Sequence, residues 1–299
     1  MNEVIGVEPS AFKDSGEFLG FIGHFGFHQG RFVGAYPSKW IQQVIRHLDT
    51  ASDLDRSAAV EILKQETVSR TRTLELSAPF DAAPVTWLEN AIQRQQEGTI
   101  SDVIAARANA HKVKSFPLAP DYFDQFPRTD RIFSSPDGYA DVAKILLTTA
   151  YEIALFDPFL SKGRDTWKIV LERFSQVASQ GICEEFKIFT LDDRDSPDAV
   201  KRWANQFYQD VRKHVGVTHF VLRDIGHAEA DDHPRFLVSM KGALQFDKGF
   251  ESDDPPRRRV VSVVDRRLHN VLCKQFLEDS DASLPFKIVE TIRLEKRMP

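Results

Sequence analysis

Asp231-Asp232-His233-Pro234-Arg235-Phe236-Leu237-Val238-Ser239-Met240-Lys241-Gly242-Ala243-Leu244-Gln245-Phe246-Asp247-Lys248-Gly249-Phe250 is the stretch around which the rest of the chain can be read. A histidine and an arginine lead into an apolar run, Lys241-Gly242 supplies turn chemistry, and a second run closes at Lys248-Gly249. Together these predict a β-hairpin. Side chains two positions apart on a strand share a face, so His233 and Arg235 would set an imidazole beside a guanidinium at a sheet edge. Such a pair suits a phosphate group.

On either side of the hairpin the pattern is regular from about residue 129 onward. Ser135 can cap and Pro136 can open a helix with Tyr139, Val142, Ala143, Leu146 and Ala150 on one face. A buried-strand run, Tyr151 to Asp157, stops at Pro158, and a helix follows with Trp167, Val170, Leu171, Phe174, Val177 and Ala178 at helical spacing. The spacing then predicts a strand at Phe186–Leu191, a helix at Asp198–His214 and a strand at Val217–Arg223. Beyond the hairpin come a strand at Arg259–Val264, a helix carrying Leu268, Val271, Leu272 and Phe276, and a last strand at Phe286–Leu294. Alternating strands and helices with buried strands predict an α/β layered domain.

The first part of the chain reads differently. Six of the fifteen glycines fall between Gly16 and Gly34 among phenylalanines, without the spacing of a glycine-rich phosphate loop, which points to core turns or a partner surface. Helices are predicted from Pro37 to Leu48, Ala58 to Gln65, Pro84 to Gln96 and Ile100 to Ala110. A strand is predicted over Glu66–Leu76, with Arg70 and Arg72 on one face. Residues 1–115 therefore read as a mainly helical α+β domain of no recognised family. Residues 116–128, with Pro117, Pro120 and Pro127 among Phe116, Tyr122, Phe123 and Phe126, read as a connector ending at a boundary near Arg128.

Composition narrows the classes of function. At 299 residues, 42% hydrophobic and 28% charged, the chain can bury a full core and fill two domains. A net charge of -5 excludes a surface that is basic throughout, so any polyanion site must be local. Cys183 and Cys273 form no CxxC pair and read as two buried small residues of a reducing compartment. Glu3 and Glu8 stand where a secretory leader would be basic, and the most apolar window, Ile145–Phe156, is too short and polar to span a bilayer. The expected location is the cytoplasm.

The order of pieces from residue 129 onward resembles the phospholipase D superfamily. The carriers are Ile153-Ala154-Leu155-Phe156-Asp157-Pro158-Phe159-Leu160, the strand Lys187–Leu191, His233-Pro234-Arg235, and the glycine-bounded run from Gly242 to Gly249. Within the superfamily the chain is most similar to the phospholipase D-like domain at the C-terminus of microtubule-interacting-and-transport domain proteins. The likeness implies a layered mixed sheet with flanking helices over residues 129–299. Active members carry HxK followed four residues later by aspartate, in two facing copies. One histidine attacks phosphorus, the other protonates the leaving oxygen, and the lysines hold the non-bridging oxygens. Here His233 falls at the nucleophile position, Arg235 at the lysine and Met240 at the aspartate, with no second copy of the motif.

Arginine still binds phosphate, through a planar fork instead of a point charge. The reading is therefore a degenerate, non-catalytic phospholipase D-like subunit of a protein assembly, bacterial in type, that recognises phosphate groups of nucleic acid or another polyanion. Its alternative is a dimeric phosphodiesterase or nuclease with His233 as nucleophile and Arg235 as phosphate clamp. Asp157, at a strand end, either orients His233 or caps the next turn. Arg257, Arg258, Arg259, Arg266 and Arg267, with Lys248, form the strongest basic cluster and are the candidate phosphate contacts; the bland reading is a solvated face. Asp224, His227, Glu229, Asp231, Asp232 and His233 could ligate a divalent metal but read as a solvated loop, so no metal or cofactor is expected. The expected partners are another protein or a second copy of the chain, together with nucleic acid or another polyanion.

Overall fold

The computed structural model describes residues 3–37, 39–48, 53–69, 71–76, 86–106, 113–126, 128–160, 165–191, 197–224, 235–278 and 286–297. The chain divides into two compact units, Met1–Arg128 and Thr129–Pro299. No helix among the described residues is long and apolar enough to cross a membrane. The fold class is α/β in both units.

Strands β1 (Glu3–Val7), β2 (Arg31–Ala35), β3 (Thr73–Glu75), β4 (Asp102–Ala105) and β5 (Val113–Ser115) make the first unit's sheet, in the order β3-β2-β1-β4-β5. All of its pairings are parallel. Helices α1 (Ser15–Ile22), α2 (Trp40–Leu48), α3 (Asp53–Ser69) and α4 (Trp87–Gln96) provide the crossovers that parallel strands require. The glycine-phenylalanine stretch turns inward: Phe18, Phe21, Phe25, Phe27 and Phe32 are all buried. Phe12, Phe21 and Phe116 meet with ring centroids 5.0–5.9 Å apart. Gly30, at φ 70, makes the left-handed turn that leads into β2.

Two expectations for this unit are corrected. Within the helix predicted over Ile100–Ala110, Asp102–Ala105 is strand β4, because Val103 and Ile104 are buried beside β1 and that pairing overrides helix propensity; residues 107–110 lie outside the described residues. The strand predicted over Glu66–Leu76 shrinks to β3, since α3 continues through Ser69; Arg70 lies outside the described residues. With three residues each, β3 and β5 are too short to show a period in sequence, so a parallel sheet read as α+β. The connector's aromatics, Phe116, Tyr122, Phe123 and Phe126, pack on this unit's own core.

The second unit holds β6 (Thr129–Phe133), α5 (Pro136–Thr149), β7 (Glu152–Phe156), α6 (Asp165–Ala178), β8 (Glu185–Leu191), α7 (Pro197–Phe207) and β9 (Gly216–Asp224). The rest are β10 (Arg235–Ser239), β11 (Gly242–Phe246), β12 (Arg258–Val263), α8 (Arg266–Phe276) and β13 (Phe286–Leu294). Its sheet runs β13-β9-β8-β7-β10-β11-β12-β6. The β7-β8-β9 block is parallel and the remaining pairings are antiparallel. Ser135 caps α5 by accepting from the Gly138 N–H at 3.1 Å, with Pro136 in the first turn. On α6, Val170, Leu171 and Phe174 are fully buried, each stabilising by about 1.5–3 kcal/mol.

The hairpin is β10-β11, with Ser239 opposite Gly242 at the turn. Phe236 and Val238 pack with Leu272 and Phe276 of α8. Phe246, of the opposite parity, meets Tyr139 of α5 at 5.9 Å. The antiparallel half of the sheet is therefore covered on both faces, and the first residue of β10 is brought to the C-terminal end of β7.

Candidate functional site

Three chain segments meet at that end. Phe156, the last residue of β7, pairs with Phe236, so Asp157 and Arg235 come next in register. Lys248, Gly249 and Phe250 arrive from β11 as the third segment. Asp157 is 1% exposed. Its Oδ1 accepts from the Phe159 N–H at 3.0 Å and its Oδ2 from the Phe250 N–H at 3.3 Å. The Arg235 Nε stands 4.0 Å from Oδ1, and the guanidinium lies 5.1 Å from the centre of the Phe159 ring.

Electrostatics follow from this geometry. Burial pushes the Asp157 carboxyl up to about 6, although the Phe159 N–H, the Arg235 charge and the Phe250 N–H all pull the other way. Gly249 is required here: a Cβ at that position would come within 2.8 Å of Asp157 Oδ2 and 3.4 Å of the Trp167 ring. The Arg235 Nε and the Trp167 Nε1 are both buried without a hydrogen-bond partner. Trp167 Nε1 belongs to the same indole edge that crowds Gly249. The Arg235 Nε thus stands by the buried carboxyl with no hydrogen-bond acceptor among the described residues, and the Trp167 Nε1, on the ring next to Gly249, is likewise unpartnered among them, an arrangement costly unless something else accepts from these donors.

His233 lies outside the described residues, as do His227, Glu229, Asp231 and Asp232 of the acidic cluster. The basic cluster divides. Lys248, Arg257, Arg258, Arg266 and Arg267 are exposed, and the Arg258 guanidinium sits 5.9 Å from the centre of the Phe133 ring. Arg259 departs from the expected surface. Strand alternation turns it inward, where its Nη2 donates to Asp253 Oδ2 at 2.6 Å and its side chain is 11% exposed. Asp253 also accepts from the Ser134 hydroxyl at 2.7 Å. Arg259 is thus ion-paired within the unit.

Sequence reading did not find Trp167 or Gly249 as parts of the site. The only signals were a tryptophan at the start of a helix and a glycine after a strand, and neither names a neighbour. Cys273, read as a buried small residue, is buried, and the sequence reading did not pair it with His269, four residues before it on α8, whose Nε2 lies 3.1 Å from its Sγ. Burial, with the Glu278 charge, pushes that thiol up to about 11.

No family model matches the chain, and no curated protein does. Among solved structures, an archaeal chromatin protein, TrmBL2, described as showing a novel mode of DNA binding, aligns with a TM-score of 0.27 and 11% identity. That alignment covers 79% of this chain and 78% of that one. A likeness so slight carries no argument about this chain.

Proposed function

We propose that the second unit is a non-catalytic, phospholipase D-like binding module that takes up a phosphate group of nucleic acid or another polyanion at Arg235 and serves as a subunit of a protein assembly. The observation that carries this reading is the Arg235 guanidinium, its Nε unpartnered among the described residues and 4.0 Å from the buried Asp157. The Arg235 side chain is 15% exposed and offers the accessible part of its guanidinium to a phosphate oxygen, whose negative charge favours the protonated form of a carboxyl already held near 6. The exposed Arg257, Arg258, Arg266 and Arg267 add contacts of the salt-dependent kind. Against catalysis stand Met240 in place of the motif's aspartate and the single copy of the motif.

The test combines cleavage and binding. Wild type and His233→Ala are incubated with single- and double-stranded DNA and RNA, and binding is measured at two salt concentrations. Salt-sensitive binding without cleavage in both proteins is the expected result. Cleavage by wild type that vanishes in His233→Ala overturns it in favour of a dimeric phosphodiesterase.

A further inference from the structure

The first unit carries a cleft of its own. Its parallel sheet grows outward from β1 in both directions, β2 and β3 on one side and β4 and β5 on the other. Connections therefore part between β1 and β4, and in open α/β sheets ligands bind beyond the carboxyl ends of the strands at such a point. A cleft of about 420 Å³ opens there, lined by the loop after β1, the second half of α2 and the start of α4.

The walls are set by hydrogen bonds. Glu8 follows β1 directly; its N–H donates to the Ile104 carbonyl at 2.8 Å, and its Oε2 accepts from the Ala106 N–H at 2.8 Å. The carboxylate thus spans the β1-β4 divide and keeps one oxygen that no donor among the described residues uses. Trp87 opens α4, and its indole N–H donates to the Tyr36 carbonyl at 2.8 Å. The capping box of Thr86 and Glu89 holds the same turn. Among the described residues Arg46 of α2 has no ion pair, and neither the Gln43 amide nor the Ser10 hydroxyl across the cleft has a hydrogen-bond partner. His47 is committed, its Nε2 standing 3.0 Å from the Phe12 carbonyl oxygen.

We infer that this cleft binds a nucleoside monophosphate, its base against Trp87, its phosphate at Arg46 and a sugar hydroxyl at Glu8. A flat indole of fixed orientation offers a stacking surface, an unpaired guanidinium takes a phosphate, and a carboxylate oxygen accepts from a hydroxyl. The phosphate is not placed at the α1 N-terminus, because the Asp14 carboxylate already fills that end by accepting from the Glu17 N–H at 2.9 Å. The volume lies at the small end of the range of about 300–1,000 Å³ for ligand pockets, which suits a mononucleotide and not a dinucleotide.

Binding of AMP, adenosine and inorganic phosphate to the full chain by calorimetry and saturation-transfer NMR tests this. AMP should bind, with adenosine and phosphate each weaker by at least about tenfold. All titrations are run in the Arg235→Gln background, so that phosphate taken up by the second unit does not contribute, and there Arg46→Gln, an exposed change, should bring AMP down to the level of adenosine. The inference is overturned if AMP does not bind, if phosphate alone binds as tightly, or if Arg46→Gln changes nothing while circular dichroism shows the fold intact.

Discussion

Asp157 Oδ1 and Arg235 Nε lie 4.0 Å apart where β7 meets β10, near enough for charge attraction and too far for a hydrogen bond. The carboxyl is almost wholly buried, and its other contacts are backbone N–H groups. An acid in that setting retains its proton to higher pH than it would in the unfolded chain.

That difference makes stability depend on pH. The unfolded carboxyl titrates near 3.8 and the folded one near 6. Between those values the native state binds the proton more than the unfolded state does, so the contribution of Asp157 to stability falls as pH rises through this window and then levels off. Denaturant midpoints of wild type and Asp157→Asn at several pH values should diverge across that window, with wild type losing stability relative to the variant as pH rises. Parallel profiles would show that the carboxyl is not shifted.

His219 predicts the opposite slope. It is fully buried, its Nε2 lies 2.9 Å from the Thr190 Oγ1, and burial lowers it to about 3. Below the ordinary value of 6.5 the unfolded chain takes up a proton that the native ring refuses, so stability is lost as pH falls from 6.5 toward 3. His219→Gln should remove that component, read as a flatter acid limb in thermal unfolding.

Gly249→Ala places a methyl group 2.8 Å from Asp157 Oδ2. The expected cost is about 1–3 kcal/mol, with a lower Tm and weakened phosphate binding, because the carboxyl or the backbone of Phe250 has to move. An unchanged Tm would mean that the three segments meet more loosely than the distances state.

Much of this was legible in the sequence, and the divide between what was and was not is physical. The β10-β11 hairpin, its turn at Lys241-Gly242 and the helical face of α6 follow from periodicity and turn chemistry, which are local. Placing Asp157 at a strand end was also local. That Arg235 stands next to it depends on β10 pairing with β7 across some eighty residues of chain, and strand order is not written in any one segment. Trp167 and Gly249 were missed for the same reason. β4 was misread because Asp102–Ala105 is four residues long beside an alanine-rich stretch, and only its burial against β1 decides its state.

Neighbouring arginines on β12 should behave differently. Arg259→Ala strands Asp253 in a partly buried position and should destabilise the protein by about 1–3 kcal/mol. Arg258→Ala, at an exposed position over Phe133, should change stability by less than about 0.5 kcal/mol. Its effect should instead be weaker polyanion binding and a shallower salt dependence. Urea unfolding and filter binding on the two variants separate the roles.

The most direct measurement follows the Arg235 Nε–H by ¹H–¹⁵N NMR, assigned with Arg235→Gln, while inorganic phosphate and then a short single-stranded oligonucleotide are added. Phosphate recognition at this site predicts a saturable shift of that resonance, moved by both ligands and accompanied by a shift of the Trp167 indole N–H. A resonance that stays in place while the oligonucleotide binds elsewhere would contradict it.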